Sequence, residues 1–234
     1  MSTAVIVSGV FRHFAPAYNS WRFQGDYHLI TQRRTQTARS ARLLEDITQQ
    51  VEQHQSKFSS IAYVDPKDSV LATTVNMAAK WRAAYTLLEP YNYSKYIVVR
   101  PDLYTFHHNW DLINSIDVKP NTMYNISDIV PDGNGDPFVN DMLFIADAAT
   151  WQTISRFYDY YVDLSTTKNI HIHLSEYLQL NHIQVDSQVL AQGIYIPIRD
   201  NMQHLFENDM LTDKYSVNDI LTKASEWQKK QQES

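Results

Sequence analysis

The chain has 234 residues and 27.3 kDa, and its 44% hydrophobic and 12% aromatic content is enough for a sizeable core, which excludes a disordered or low-complexity polymer. Zero cysteines exclude disulfides, thiolate metal ligands and a cysteine nucleophile. Against 26 acidic residues stand 20 Lys and Arg, for a net charge of −6, and no basic run is longer than Arg33-Arg34 or Lys229-Lys230, so no nucleic-acid partner is expected.

The first segment, Ala4-Val5-Ile6-Val7, is apolar at every position, as in a strand covered on both faces, and Ser8-Gly9 stops it. Further strands are predicted near Tyr27–Thr31, Ile61–Val64 and Tyr96–Val99. The stretch Leu43–His54 reads as a polar helix. A longer helix over about Ser69–Glu89 carries Met77, Trp81, Tyr85 and Leu88 at i, i+4, i+8 and i+11, one stripe of its surface. Strands alternating with helices up to residue 100 predict βαβ units and a largely parallel sheet.

The second half begins with the turn-rich stretch Pro131–Pro137, followed by an apolar strand, Met142–Ala146. A helix with Trp151, Ile154, Tyr158 and Tyr161 on one side comes next, with Asp147 as its N-cap. A helix over Ser175–Asn181 and short strands near Gln184–Val185 and Gly193–Ile198 follow. The last helix, about 216–231, starts at Ser216 with Asp219 in a capping-box-like position. No internal repeat or linker is visible, so residues 1–234 are expected to form one α/β domain, a mixed, mostly parallel sheet flanked by helices. Apolar stretches such as Met142–Ala146 are far short of the roughly twenty residues of a membrane span, and the start lacks the regions of a signal peptide. A soluble, cytoplasmic protein with no membrane span is expected.

The common nucleotide and hydrolase motifs are missing: no G-x-x-x-x-G-K-[ST] loop, no G-x-G-x-x-G after the first strand, no G-x-S-x-G elbow. Ligands of open α/β sheets bind outside the carboxyl ends of the parallel strands, so the residues after each strand matter most. After the first strand come Ser8, Gly9 and Arg12. Glycine lets the backbone approach a ligand and arginine can fork onto a pyrophosphate; the plain alternative is a turn and a surface arginine. After the fourth comes Arg100-Pro101-Asp102. Proline ends the ladder and holds Asp102 at a solvated rim, where a carboxylate could bind a divalent cation that also takes diphosphate oxygens, or could simply close a turn.

Asn140-Asp141 precede the strand Met142–Ala146. If that strand is antiparallel, its beginning shares the rim with Asp102, one carboxylate suiting a metal and the other a hydroxyl proton; otherwise the pair only closes a loop. In His171-x-His173-x-x-Glu176, read as extended, the two histidines share a face and could ligate a metal, although ordinary polar contacts are the commoner outcome.

The order of these pieces is Val7-Ser8-Gly9-x-x-Arg12, then Tyr96-Ile97-Val98-Val99-Arg100-Pro101-Asp102-Leu103, then Asn140-Asp141-x-Leu143-Phe144-Ile145-Ala146, then His173-Leu174-Ser175-Glu176. Over about residues 4–200 this resembles the small GT-A-type glycosyltransferases of viruses and bacterial capsule loci, whose chains carry S-G-x-x-R, R-P-D-L and an N-D pair in this order. The resemblance implies a Rossmann-related GT-A fold that takes a nucleotide-diphosphate sugar, with Mn²⁺ or Mg²⁺, and transfers a hexose-like sugar to a hydroxyl of a glycan or polysaccharide acceptor. For a viral protein the compartment would be the host cytoplasm. Ser8, Gly9, Arg12, Asn76, Arg100 and Asn140 would then serve the donor. Asp102 would stand in the place of the metal-binding D-x-D motif, and Asp141 where such enzymes keep an acceptor-binding or catalytic carboxylate. Arg100 replaces the first aspartate of that motif, so a guanidinium could itself neutralise phosphate charge. The rivals are a nucleotidyltransferase with the same sheet, and a non-catalytic sugar-nucleotide-binding, carbohydrate-binding or virion-assembly module.

Overall fold

Strand β1 (Thr3–Ser8) sends Ala4 and Ile6 to one face and Val5 and Val7 to the other, all fully buried. Two-sided burial is why its sequence shows no polar alternation. The computed structural model describes residues 2–11, 13–36, 44–64, 72–106, 109–131, 135–162, 169–197 and 222. Six further strands join β1: β2 (Asp26–Thr31), β3 (Ser60–Tyr63), β4 (Lys95–Val99), β5 (Thr122–Asn125), β6 (Leu143–Asp147) and β7 (Gln184–Asp186). They form one seven-stranded sheet in the order β7-β5-β6-β4-β1-β2-β3. Every pairing is parallel except those of β6, which runs antiparallel to both β4 and β5. The chain adds β2 and β3 on one side of β1 and β4 on the other, so the topological switch point lies between β1 and β4.

Helices cover both faces: α1 (Phe14–Ser20), α2 (Thr48–Gln53), α3 (Ala72–Leu88), α4 (Trp110–Ser115), α5 (Ala148–Ser155), α6 (Phe157–Val162) and α7 (Ile170–Leu180). On one face α3, α5, α6 and α7 pack Trp81, Trp151, Phe157 and Leu174 against Ile6, Val98 and Phe144. On the other, α1, α2 and α4 pack Phe14, Val51 and Ile113 against Val7, Leu29 and Ile97. Trp81 meets Phe144 edge-on at 5.2 Å between ring centroids. Fully burying one such ring removes about 150–250 Å² from water, worth about 4–6 kcal/mol on transfer. The fold is thus α/β, a mixed, mostly parallel sheet flanked by helices. No helix among the described residues is long and apolar enough to cross a membrane.

Several local expectations need correction. Leu44–Asp46, expected at the start of a helix, is a strand paired antiparallel with Arg34–Gln36; helix begins only at Thr48. The single helix expected through Trp151, Ile154, Tyr158 and Tyr161 is two. A tight turn at Arg156, whose N–H donates to Thr153 O, re-aims the chain so that Phe157 and Tyr161 are the core residues of α6. Helix α7 begins at Ile170, not Ser175, because Asn169 caps it by accepting from the His171 N–H at 3.1 Å. The strand expected near Gly193–Ile198 is present as Ile194–Pro197, paired with Leu103–Phe106 in a separate antiparallel ribbon. Asp147 does cap α5, accepting from the Thr150 N–H at 2.8 Å. Of the expected helix at 216–231, only Thr222 falls within the described residues.

Away from the carboxyl ends, β2 buries an imidazole. His28 Nδ1 lies 2.8 Å from Ser60 Oγ, and Nε2 lies 3.0 Å from the Tyr93 hydroxyl, which itself donates to Asp26 Oδ2 at 2.8 Å. Burial lowers the His28 pKa, against a smaller opposing pull from Asp26. The unfolded chain therefore takes up a proton near pH 6.5 that the folded chain refuses, and stability falls as pH drops below that value. Thermal melts from about pH 7.5 to about pH 5 should show this loss, and His28→Gln should flatten it. An equally steep loss in the variant would assign the effect to other groups.

Candidate functional site

Strand β1 ends at Ser8, β4 ends at Val99, and the antiparallel β6 begins at Leu143, so three loops meet at one rim beside the switch point. The Arg100 N–H donates to Met142 O at 2.9 Å, which ties the end of β4 to the start of β6. Gly9 adopts φ +149, and a Cβ on it would lie 2.9 Å from Pro101 Cδ. The first and fourth loops are therefore in contact, and only glycine fits between them. Gly9→Ala should destabilise by about 1–3 kcal/mol in chemical denaturation, because the backbone region is strained for alanine and the proline ring cannot swing aside. A loss under a few tenths of a kcal/mol would mean that the loops give way.

Arg100 and Asp102 form a two-bonded fork. Arg100 Nε donates to Asp102 Oδ1 at 3.0 Å and Nη2 donates to Oδ2 at 2.7 Å. The Asp102 side chain is 4% exposed and that of Arg100 33%. Burial pulls the Arg100 pKa down, but the charges of Asp102 and Asp141 outweigh it and leave the guanidinium raised and firmly charged. Asp102 was expected at a solvated rim; it is buried instead, because Arg100 supplies the partner that burial requires. Both oxygens that would ligate a divalent cation accept from Arg100, so the guanidinium already supplies at this carboxylate the positive charge a metal would bring. Among the described residues, no group of three or more His, Cys, Asp or Glu side chains could hold a metal ion.

Asp141 joins the same rim. Its side chain is 15% exposed, its Oδ1 lies 3.9 Å from His171 Nδ1, and its charge is felt by Arg100. Asn140 turns inward: its Oδ1 accepts from the Met142 N–H at 2.8 Å and its carbonyl accepts from Asn125 Nδ2 at 2.7 Å. That amide closes the loop, and in doing so fixes the backbone on which Asp141 sits. The two histidines do not act together. In a helix, residues two apart point to opposite sides. His171 Nδ1 lies 3.0 Å from Val139 O, whereas His173 Nδ1 lies 3.0 Å from Glu176 Oε2. Arg12 lies outside the described residues.

Ser8 and Asn76 are both buried, Ser8 at the end of β1 and Asn76 near the start of α3. Among the described residues the Ser8 Oγ has no hydrogen-bond partner. One turn beyond Asn76 lies Lys80, 3% exposed, whose Nζ donates to Gln32 Oε1 at 3.0 Å. Among the described residues it pairs with no carboxylate. Burial lowers its pKa to about 8. Against an unfolded value near 10.4, this is a cost of about 3 kcal/mol to the folded state below pH 8, relieved as pH rises through that window. The signal was in the sequence: Met77, Lys80, Trp81, Ala84 and Leu88 share the helical stripe that α3 turns to the sheet.

No protein-family model matches this sequence, and no curated protein does. Among solved structures, the apo-form glycosyltransferase GlyE of Streptococcus pneumoniae TIGR4 matches with a TM-score of 0.49 and 12% identity, over 79% of this chain and 44% of that one. A glycosyltransferase involved in the glycosylation of the major capsid of PBCV-1 matches with a TM-score of 0.44 and 10% identity, over 80% of this chain and 82% of that one. This chain thus spans less than half the length of the first.

Proposed function

We propose that this chain is a glycosyltransferase that takes a nucleotide-diphosphate sugar at the β1/β4 switch point and passes the sugar, a hexose or hexose-like unit, to a hydroxyl of a glycan acceptor. The reading is carried by one observation: Arg100, fixed in place by Asp102, stands on the same rim as Asp141 and beside the glycine-walled end of β1. Transfer breaks the bond between the anomeric carbon and the diphosphate oxygen, so negative charge grows on the leaving group. A guanidinium already oriented by its fork meets that charge without reorganising. The fork uses Nε and Nη2, and the remaining N–H groups of the guanidinium are available to phosphate oxygens.

Asp141 supplies the other half of the chemistry. In an inverting transfer its carboxylate takes the proton of the acceptor hydroxyl as the oxygen bonds to the anomeric carbon and the diphosphate departs with the bonding pair. Gly9 lets the loop after β1 close onto Pro101, which sets the donor's rim at a fixed distance from Arg100. We place the charge balance on Arg100 and not on Mn²⁺ or Mg²⁺ held by Asp102, because the carboxylate is already engaged. The compartment that supplies such donors is the cytoplasm, and for a viral chain the host's. A non-catalytic sugar-nucleotide-binding module is favoured by the same fork, which leaves no D-x-D pair, and turnover separates the two readings.

The test is a thermal-shift screen of sugar nucleotides with Mn²⁺ and with EDTA. Ligands that bind only the folded state raise its melting temperature. One donor base should stabilise the protein equally in both conditions, and turnover with that donor should survive EDTA. Activity lost in EDTA and restored by Mn²⁺ would return the metal to this site.

A further inference from the structure

We propose that Lys80, together with Asn76 and the Ser8 hydroxyl, forms a buried anion subsite that receives the diphosphate of the donor from beneath the rim, a role that rests on reading the rim as a donor site. Helix α3 follows β3, so its amino-terminal end lies toward the carboxyl ends of the strands. Side chains on a helix lean toward its amino terminus, and the Lys80 ammonium accordingly reaches Gln32, the residue that follows β2. Ser8 pairs in register with Ile30, two residues before Gln32 on the same face of the sheet, so its hydroxyl and the Gln32 side chain belong to one side of the rim. Asn76 lies one helical turn from Lys80, on the same face of α3 and nearer that rim.

Two features of this group call for a ligand. The Ser8 hydroxyl is buried without a partner among the described residues, although a buried hydroxyl is ordinarily bonded. The Lys80 ammonium is buried against a neutral amide, although a buried charge is ordinarily paired. A diphosphate supplies both needs at once: acceptor oxygens for the hydroxyl and negative charge for the ammonium. Arg100 on one side and Lys80 on the other would then divide the charge of the leaving group between two fixed cations. The depressed Lys80 pKa agrees with a site that lacks its anion.

The experiment is calorimetric titration of the full chain with inorganic pyrophosphate and with the common nucleoside diphosphates, for wild type, Lys80→Met and Lys80→Gln. Wild type should bind pyrophosphate, and both variants should bind it and the preferred nucleoside diphosphate about 10–100-fold more weakly, the effect of losing a charge-assisted contact. Neither variant should melt below wild type, since each removes a buried unpaired charge. Nucleoside diphosphate binding left unchanged in both variants would overturn the role of Lys80 while leaving the rim site standing. Variants that melt well below wild type would make the ammonium a structural group and also overturn it. If neither pyrophosphate nor any nucleoside diphosphate binds wild type, the donor reading and this one fall together.

Discussion

Asp141→Asn is expected to lower kcat by about 10²–10⁴-fold while leaving donor affinity nearly unchanged, the signature of a lost general base. The amide keeps the size and most of the contacts of the carboxylate but cannot take a proton. Asp141 sits on a loop closed by Asn140, whose own side chain is turned onto the Met142 backbone, so the substitution should not move the rim. Asn140→Ala is expected to act differently, loosening that loop and lowering stability along with turnover. Donor affinity falling in step with kcat in Asp141→Asn would put this carboxylate on the donor side and remove it from the proton transfer.

Asp102→Asn is expected to destabilise the protein by about 2–4 kcal/mol, or about 4–16 °C in Tm, and to weaken donor binding as well. The variant leaves a guanidinium that has lost its fork in a largely buried position. The loss lies toward the low end for a broken buried pair because a third of the Arg100 side chain reaches solvent. Arg100→Met combined with Asp102→Asn removes both charges and should recover part of the lost stability, though none of the donor affinity. A double variant no more stable than Asp102→Asn would mean that the two residues are not energetically coupled.

The rim was largely legible in the sequence because its parts are local breaks in strongly patterned strands. β1 and β4 are buried on both faces, so their apolar runs end abruptly at Ser8-Gly9 and at Arg100-Pro101-Asp102. The conditional reading of β6 as antiparallel is what brings Asp141 to that rim, and the sheet has this arrangement. What the sequence hid depends on contacts distant along the chain. Strand β5, Thr-Met-Tyr-Asn, carries no strand pattern of its own and exists by pairing with β6 and β7. The burial of Asp102 could not be read, since only the folded fork with Arg100 makes it tolerable. Lys80 was missed because a charged residue within an apolar stripe is ordinarily read as the edge of the exposed face, whereas here it lies at the centre of the buried one. The two histidines of α7 make the ordinary polar contacts that were the commoner expectation, but the extended reading that put them on one face failed, because Asn169 caps a helix there.

The central claim is that the rim carries out glycosyl transfer and does not only bind sugar nucleotides. Its most direct measurement is the release of nucleoside diphosphate from the sugar nucleotide that stabilises the protein best, followed over time for wild type and Asp141→Asn at saturating donor with a glycan acceptor. The account predicts steady release by wild type, with transfer of the sugar to the acceptor, and release slowed by about 10²-fold or more in the variant at equal donor occupancy. Occupied wild-type protein that releases no nucleoside diphosphate with any acceptor, or release that is unchanged in Asp141→Asn, would contradict it.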